Sequence, residues 1–205
     1  MRLSGRQPGS TRVIASTSEV IVVVSGLPRS GTSMMMRMLE AGGIAVQSDE
    51  RRSADDDNPL GYFEDERVKD LGRDASWIEE ARGKAVKVVS ALLKHLPPGH
   101  RYKIIFMRRD VDEVLASQST MLTRRGKSAS SADDARMRVL FTKHLDSISA
   151  ELAGRGDTDV LYVEYRTVVS DPQAEAARVS AFLGGGLDTA AMAAAVDPAL
   201  YRQRR

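Results

Sequence analysis

The sequence predicts an α/β fold of three layers: an open, mainly parallel sheet with helices on both faces. Three observations predict it. Short β-branched runs alternate along the chain with amphipathic stretches, at the spacing of successive βαβ units. The first run, residues 20–24, reads VIVVV with no polar residue, as a strand buried on both faces requires. A turn bracketed by Gly26 and Gly31 follows and opens a helix, the place where such sheets hold their ligands.

The chain has 205 residues, 42% of them hydrophobic, enough for a single globular domain over 19–205. Residues 1–18 are polar and basic and read as a disordered arm. Taken in order, residues 21–24 are the first strand, and 32–41 a helix that stops at Gly42 and Gly43. Residues 48–60, SDERRSADDDNPL, are acidic and turn-rich and read as a mobile surface loop. A helix is expected within 64–80. Residues 84–90 and 102–108 read as the second and third strands, with a short helical turn between them that ends at Pro97 and Pro98. A helix over 110–125 follows, with Asp110 and Glu113 spaced as a capping box and Val111, Val114, Leu115, Met121 and Leu122 on one face. Beyond a polar hinge come a helix over 135–152, a fourth strand over 159–165 and a helix that ends at FLGGG.

Composition removes several classes of function. Without cysteine there are neither disulfides nor thiolate metal sites, and a reducing cytoplasm is permitted. His95, His100 and His144 lack the spacing of a metal site, so no metal is expected. The net charge is only +2 and 5% of residues are aromatic, which does not suit a nucleic-acid binder. No apolar run approaches the length of a membrane span or of a signal peptide core, so a soluble, cytoplasmic protein without a membrane anchor is expected. Met34, Met35, Met36 and Met38 read as helix core against the sheet. His144 reads as an ordinary surface or packing residue, and Arg202, Arg204 and Arg205 as a solvated end.

From Gly26 to Ser33 the pattern is GxxxxGTS, one residue away from the GxxxxGK[ST] of a nucleotide triphosphatase. The glycines let successive N–H groups point into one concavity, and the helix that starts near Thr32 adds its positive end. Ser30, Thr32 and Ser33 can add hydroxyl donors, and Arg29 can supply the charge that lysine would give. With Thr32 where the lysine belongs, the loop suits a phosphate or phosphosulfate better than a magnesium triphosphate.

The segment PRSGTS, residues 28–33, resembles the 5′-phosphosulfate loop of sulfotransferases that use 3′-phosphoadenosine 5′-phosphosulfate, whose sheet is P-loop NTPase-like. Three further segments resemble that family in its order. VKVVSALLKHLP is similar to the strand and turn that in many members carries a lysine and a catalytic histidine. Lys87 aligns with the lysine, whereas Val89 and Ser90 lie where the histidine would fall. FMRRDVDEVLASQ looks like the 3′-phosphate segment, in which Arg109 and Ser117 have the family's spacing of eight. Eight residues of straight helix would part the two Cα atoms by about 12 Å, so this reading requires a helix that starts after Asp110. LYVEYRTVVSDPQAEAARVSAFLG resembles the family's late strand and helix and carries no assigned chemistry.

The resemblance implies transfer of a sulfuryl group from that nucleotide to a hydroxyl or amine, by in-line displacement. Pro28, Arg29, Ser30, Gly31, Thr32, Ser33, Arg109 and Ser117 would bind the nucleotide, while Arg29 and Lys87 would serve the leaving group. Glu64 is the candidate base, since some members use a glutamate, with Tyr62 and Phe63 lining the acceptor pocket. Glu40, His95 and Asp65 compete for that role. The acceptor, a small molecule or a glycan, is not named by the sequence, and the oligomeric state is open. Two other readings stand beside this one: a P-loop nucleotide kinase or hydrolase, and a nucleotide-binding module without turnover.

Overall fold

The computed structural model describes residues 19–49, 61–124, 126 and 131–200. The arm 1–18, most of the acidic loop and the arginines of the carboxyl end lie outside them. Five parallel strands form the sheet: β1 (Val20–Gly26), β2 (Ala45–Gln47), β3 (Lys84–Lys87), β4 (Arg101–Arg108) and β5 (Thr158–Glu164), in the order β2-β3-β1-β4-β5. The helices are α1 (Thr32–Ala41), α2 (Val111–Arg124), α3 (Ser131–Gly154), α4 (Tyr165–Ser170), α5 (Pro172–Leu183) and α6 (Thr189–Ala194).

Side chains alternate across β1 because successive residues of a strand face opposite ways. Val22 and Val24 join one core with the methionines of α1 and with Val179 and Met192, whereas Ile21 and Val23 join a second with Ile78, Leu93, Ile148 and Leu152. This is the expected three-layer arrangement. Met35, Met36 and Met38 are fully buried, each contributing about 1.5–3 kcal/mol of transfer free energy.

Some elements differ from expectation. β2 was not foreseen. The expected helix within 64–80 is two 3-10 helices, Glu66–Asp70 and Ser76–Ala81, separated by a turn. The strand expected over 84–90 stops at Lys87, although Val88 N–H still bonds Val24 O at 3.0 Å, and a 3-10 helix begins at Ser90. α3 is longer than expected at both ends. α2 starts directly after Asp110, whose Oδ1 accepts from the N–H groups of Asp112 (2.9 Å) and Glu113 (3.2 Å), an N-cap. The reciprocal half of a capping box is replaced, because the Glu113 carboxylate is turned to Arg109.

The strand order places the functional edge. From β1 the chain runs to one side for β2 and β3, and β4 and β5 lie on the other. β1 is therefore the topological switch point, with a crevice beyond its carboxyl end. Register fixes what meets there: Gly26 lies beside Met107, Val24 beside Lys87, and Arg108 beside Glu164. The loop after β1, Lys87, Arg109 and Tyr165 thus share one edge of the sheet.

Candidate active site

The turn after β1 is shaped by its own backbone. Arg29 has φ 71° and Gly31 φ 99°, and Ser30 N–H bonds Leu27 O at 3.1 Å. A Cβ on Gly26 would fall 2.6 Å from Met107 O and 2.4 Å from Ser30 Oγ, so only glycine lets the turn sit this close to β4. α1 then begins with no side-chain cap and no acidic residue in its first turn, which leaves its first N–H groups and its positive end without a competing carboxylate from that turn. Ser30 is 1% exposed and its Oγ has no hydrogen-bond partner among the described residues. A concavity of donors with a buried hydroxyl fits an anion.

Two polar clusters flank the turn. On the β3 side, Lys87 Nζ donates to Tyr62 O at 2.6 Å, to Ser33 Oγ at 3.3 Å and to Glu64 Oε1 at 3.2 Å. Lys87 is buried, while 28% of the Glu64 side chain is exposed, so the pair has one face in the protein and one toward solvent. Phe63, between Tyr62 and Glu64, has φ 51°, a left-handed conformation that a phenylalanine adopts only under constraint. Ser48 Oγ and Asp49 N–H both bond Glu64 O at 3.1 Å and hold that backbone in place.

On the β4 side, Arg29 Nε donates to Ser117 Oγ at 3.0 Å, and Arg109 Nη1 donates to Arg29 O at 3.1 Å. Arg109 Nε bonds Glu113 Oε2 at 2.9 Å, both side chains being 7% exposed. The Arg109 guanidinium lies 4.4 Å from the centroid of the Tyr165 ring, a cation–π contact. Burial pushes the Tyr165 phenol above its ordinary pKa, opposed first by Arg109 and, more weakly, by Arg37 and Arg29. Three guanidinium groups therefore act on one phenol. Arg37, on α1, has its guanidinium pKa lowered by burial, which Asp197 and then Tyr165 oppose, and its Nε is buried without a hydrogen-bond partner among the described residues.

The fold thus brings together Arg29, Ser30, Gly31, Thr32, Ser33, Glu64, Lys87, Arg109 and Ser117. Pro28 is exposed at the tip of the turn. The Arg29 side chain turns to Ser117, which sets its charge on the β4 side with Arg109. The rival bases are not gathered. Glu40 is exposed on the last turn of α1, roughly 12 Å along the helix from Thr32. His95 is exposed, with its ring beside Gly72. Asp65 is 4% exposed, caps the 3-10 helix through Arg67 N–H, and bonds the Arg67 guanidinium and Gln47. Burial would raise its pKa, but those hydrogen bonds outweigh it and hold the carboxyl low.

Sequence reasoning passed over Tyr165 and Arg37, and read His144 as an ordinary surface or packing residue. His144 does more than pack: its Nε2 is 2.8 Å from Ser90 Oγ, which is buried at the exit of β3. Beside it Val89 is 36% exposed. Among the described residues no group of His, Asp and Glu could hold a metal, and no helix is long and apolar enough to cross a membrane.

Solved structures with the same fold include the sulfotransferase domain of the Synechococcus olefin synthase, 17% identical with a TM-score of 0.56, covering 91% of this chain and 88% of that one. A sulfotransferase of Mycobacterium tuberculosis is 16% identical with a TM-score of 0.55, covering 92% of this chain and 74% of that one. One of Mycobacterium avium is 13% identical with a TM-score of 0.54, covering 89% and 68%. At such identities the likeness is one of fold, P-loop NTPase-like in each case. No curated protein matches the chain. The model of the sulfotransferase family matches residues 47–188, which begin downstream of the phosphate loop and include Glu64, Lys87, Arg109 and Ser117. With most of its length inside that match, on a sheet of the same architecture, this chain belongs to the sulfotransferase family and is a sulfotransferase enzyme.

Proposed function

We propose that the donor is 3′-phosphoadenosine 5′-phosphosulfate and that its sulfuryl group passes to a hydroxyl or amine of an acceptor. The turn over 28–33 takes the 5′ end, and Arg109 with Ser117 takes the 3′-phosphate. One observation carries the reading: Arg29, from the turn itself, bonds Ser117 while Ser33, four residues on, bonds Lys87. A single loop therefore joins both cationic clusters, as a ligand with anions at two ends requires. The Ser30 hydroxyl and the uncapped start of α1 favour the same occupant.

In this reading Lys87 neutralises the departing phosphate and Glu64 takes the acceptor's proton. The bond between sulfur and the phosphate oxygen breaks as the bond from sulfur to the acceptor forms. Lys87 and Glu64 already touch, so a donor anion that draws Lys87 toward the turn loosens its hold on the carboxylate. Lys87→Met is expected to lower kcat/KM by about 10²–10³, the size seen when a preorganised donor is removed. It should also destabilise the fold by about 1–3 kcal/mol, because Tyr62 O loses its 2.6 Å donor. Steady-state kinetics and urea unfolding read the two effects.

The donor is tested by thermal shift. 3′-Phosphoadenosine 5′-phosphate at a hundred times its Kd should add about 2.7 kcal/mol, roughly 5–10 °C for a chain of this size, while Mg-ATP should add little. Stabilisation by Mg-ATP and none by the desulfated nucleotide would reject the reading.

A further inference from the structure

We propose that Arg37 of α1 is a further ligand of the nucleotide: with Arg109 it binds the 3′-phosphate, and its charge makes that end of the site one for a phosphate monoester. This inference rests on the transfer reading above and adds to it a residue and a charge requirement.

Arg37 lies on the right side of the sheet. Ile105 and Met107 of β4 and Val163 of β5 belong to the core that holds the methionines of α1, and Tyr165 belongs to it too. Arg109 follows on that side, with its guanidinium 4.4 Å from the centroid of the Tyr165 ring. The other end of the ring lies against the turn, since a Cβ on Gly31 would fall 2.4 Å from Tyr165 Cδ2. Arg37 is six residues past Gly31, about 9 Å of helix. Side chains of a helix lean toward its amino end, so that of Arg37 leans back toward the turn and the ring. Its charge acts on the Tyr165 phenol together with those of Arg109 and Arg29.

The three guanidinium groups differ in what the protein gives them. Arg109 Nε bonds Glu113 and its Nη1 bonds Arg29 O, while Arg29 Nε bonds Ser117. Arg37 Nε is buried without a hydrogen-bond partner among the described residues. Asp197 is the carboxylate that acts on it, yet Asp197 Oδ1 accepts from Ala199 N–H at 2.9 Å and caps its own turn. Burial costs the Arg37 charge more than Asp197 and Tyr165 return, which lowers its guanidinium pKa. A cation withdrawn from water without a hydrogen-bonded anion is expensive, and a ligand anion would complete it.

The local charge names that anion. Arg29, Arg37 and Arg109 act on the Tyr165 phenol from the positive side and Glu113 alone from the negative, an excess of two positive charges, which would be one without Arg37. A phosphate monoester carries about −1.5 to −2 at pH 7, whereas a diester or a sulfate ester is singly charged. The 3′-phosphate is the monoester of the donor, so the arginine that brings the excess to two selects that end of the nucleotide over the sulfonated one.

The test is calorimetric titration of the full chain with 3′-phosphoadenosine 5′-phosphate and with adenosine 5′-phosphate, which lacks the 3′ group. Arg37→Met is expected to weaken binding of the bisphosphate about 10- to 100-fold, the size of one charge-assisted contact, and to leave adenosine 5′-phosphate within a factor of about two. Arg166→Met removes the same charge from the exposed residue next to Tyr165 and should leave both affinities unchanged. Without nucleotide, Arg37→Met should unfold at the same urea concentration as the wild type or a higher one, because it removes a partly buried cation that lacks a hydrogen-bonded partner. Equal losses for the two nucleotides, an unchanged affinity for the bisphosphate, the same loss in Arg166→Met, or a lowered urea midpoint without nucleotide overturns this inference alone. A wild-type chain that binds neither nucleotide, or that does not distinguish them, overturns the transfer reading as well.

Discussion

Glu64→Gln is expected to lower kcat by about 10²- to 10⁴-fold, the range that a positioned base contributes, while nucleotide affinity stays within a factor of about two. The geometry separates these effects. The Glu64 carboxylate is 3.2 Å from Lys87 Nζ, and glutamine keeps both the length of the side chain and an oxygen that can accept from that ammonium. What it loses is the ability to take a proton. Because 28% of the Glu64 side chain is exposed, the ion pair itself is worth at most about 1 kcal/mol, so unfolding should move little. The backbone should not move either, since Ser48 Oγ and Asp49 N–H hold Glu64 O and not its carboxylate. Phe63, at φ 51°, marks a backbone segment held in a left-handed conformation next to Glu64. Turnover of the glutamine variant at the wild-type rate, with nucleotide bound, would remove Glu64 from the role and leave the fold and the family untouched.

The legibility of this site in the sequence follows the range of the forces involved. β1, the turn and α1 are specified by neighbours within a few residues: a β-branched run, two glycines and a methionine-rich helix that the sheet buries. The bounds of α1 were readable for that reason, while β1, expected over 21–24, runs on at both ends to Val20 and Gly26. β2 is three residues long at the edge of the sheet, too short to show a period of two, and its pairing with β3 depends on residues 39 positions away. The segment around Asp65 reads as a helix by composition, yet Asp65 and Asp74 each accept a backbone N–H two residues on, and such local hydrogen bonds compete with a continuous helix. Glu113 had two possible partners at nearly equal spacing, the amide of Asp110 and the guanidinium of Arg109. With Arg109 buried, a charge-assisted bond to it is the stronger choice. The turn of Arg29 toward Ser117 spans 88 residues of chain, and nothing in the local pattern of PRSGTS encodes it. The same is true of His144, whose partner Ser90 is 54 residues away.

Gly31→Ala should be strongly damaging for a single added methyl, costing roughly 2–6 kcal/mol and abolishing stabilisation by the desulfated nucleotide. Two separate penalties meet at this position. An alanine at φ +99° is strained, and its Cβ would lie 2.4 Å from Tyr165 Cδ2 and 2.9 Å from Cε2. The ring cannot readily withdraw, since Tyr165 is 5% exposed and its face carries the Arg109 guanidinium, itself held by Glu113 and by Arg29 O. Any displacement of the ring is therefore passed to the cluster proposed for the 3′-phosphate. Gly43→Ala supplies the comparison, for it has φ +97° with no heavy atom within 4 Å of the added Cβ, so its cost should be backbone strain alone, about 1 kcal/mol. The excess at Gly31 then measures the ring contact. Combining Gly31→Ala with Tyr165→Leu should return about 1–3 kcal/mol relative to the sum of the single changes, as expected of residues in direct contact. Urea unfolding of the three variants reads that coupling. Strict additivity, or a Gly31→Ala protein that still binds the nucleotide with wild-type affinity, would mean that Tyr165 does not brace the turn and that the turn and the Arg109 cluster are not mechanically joined through it.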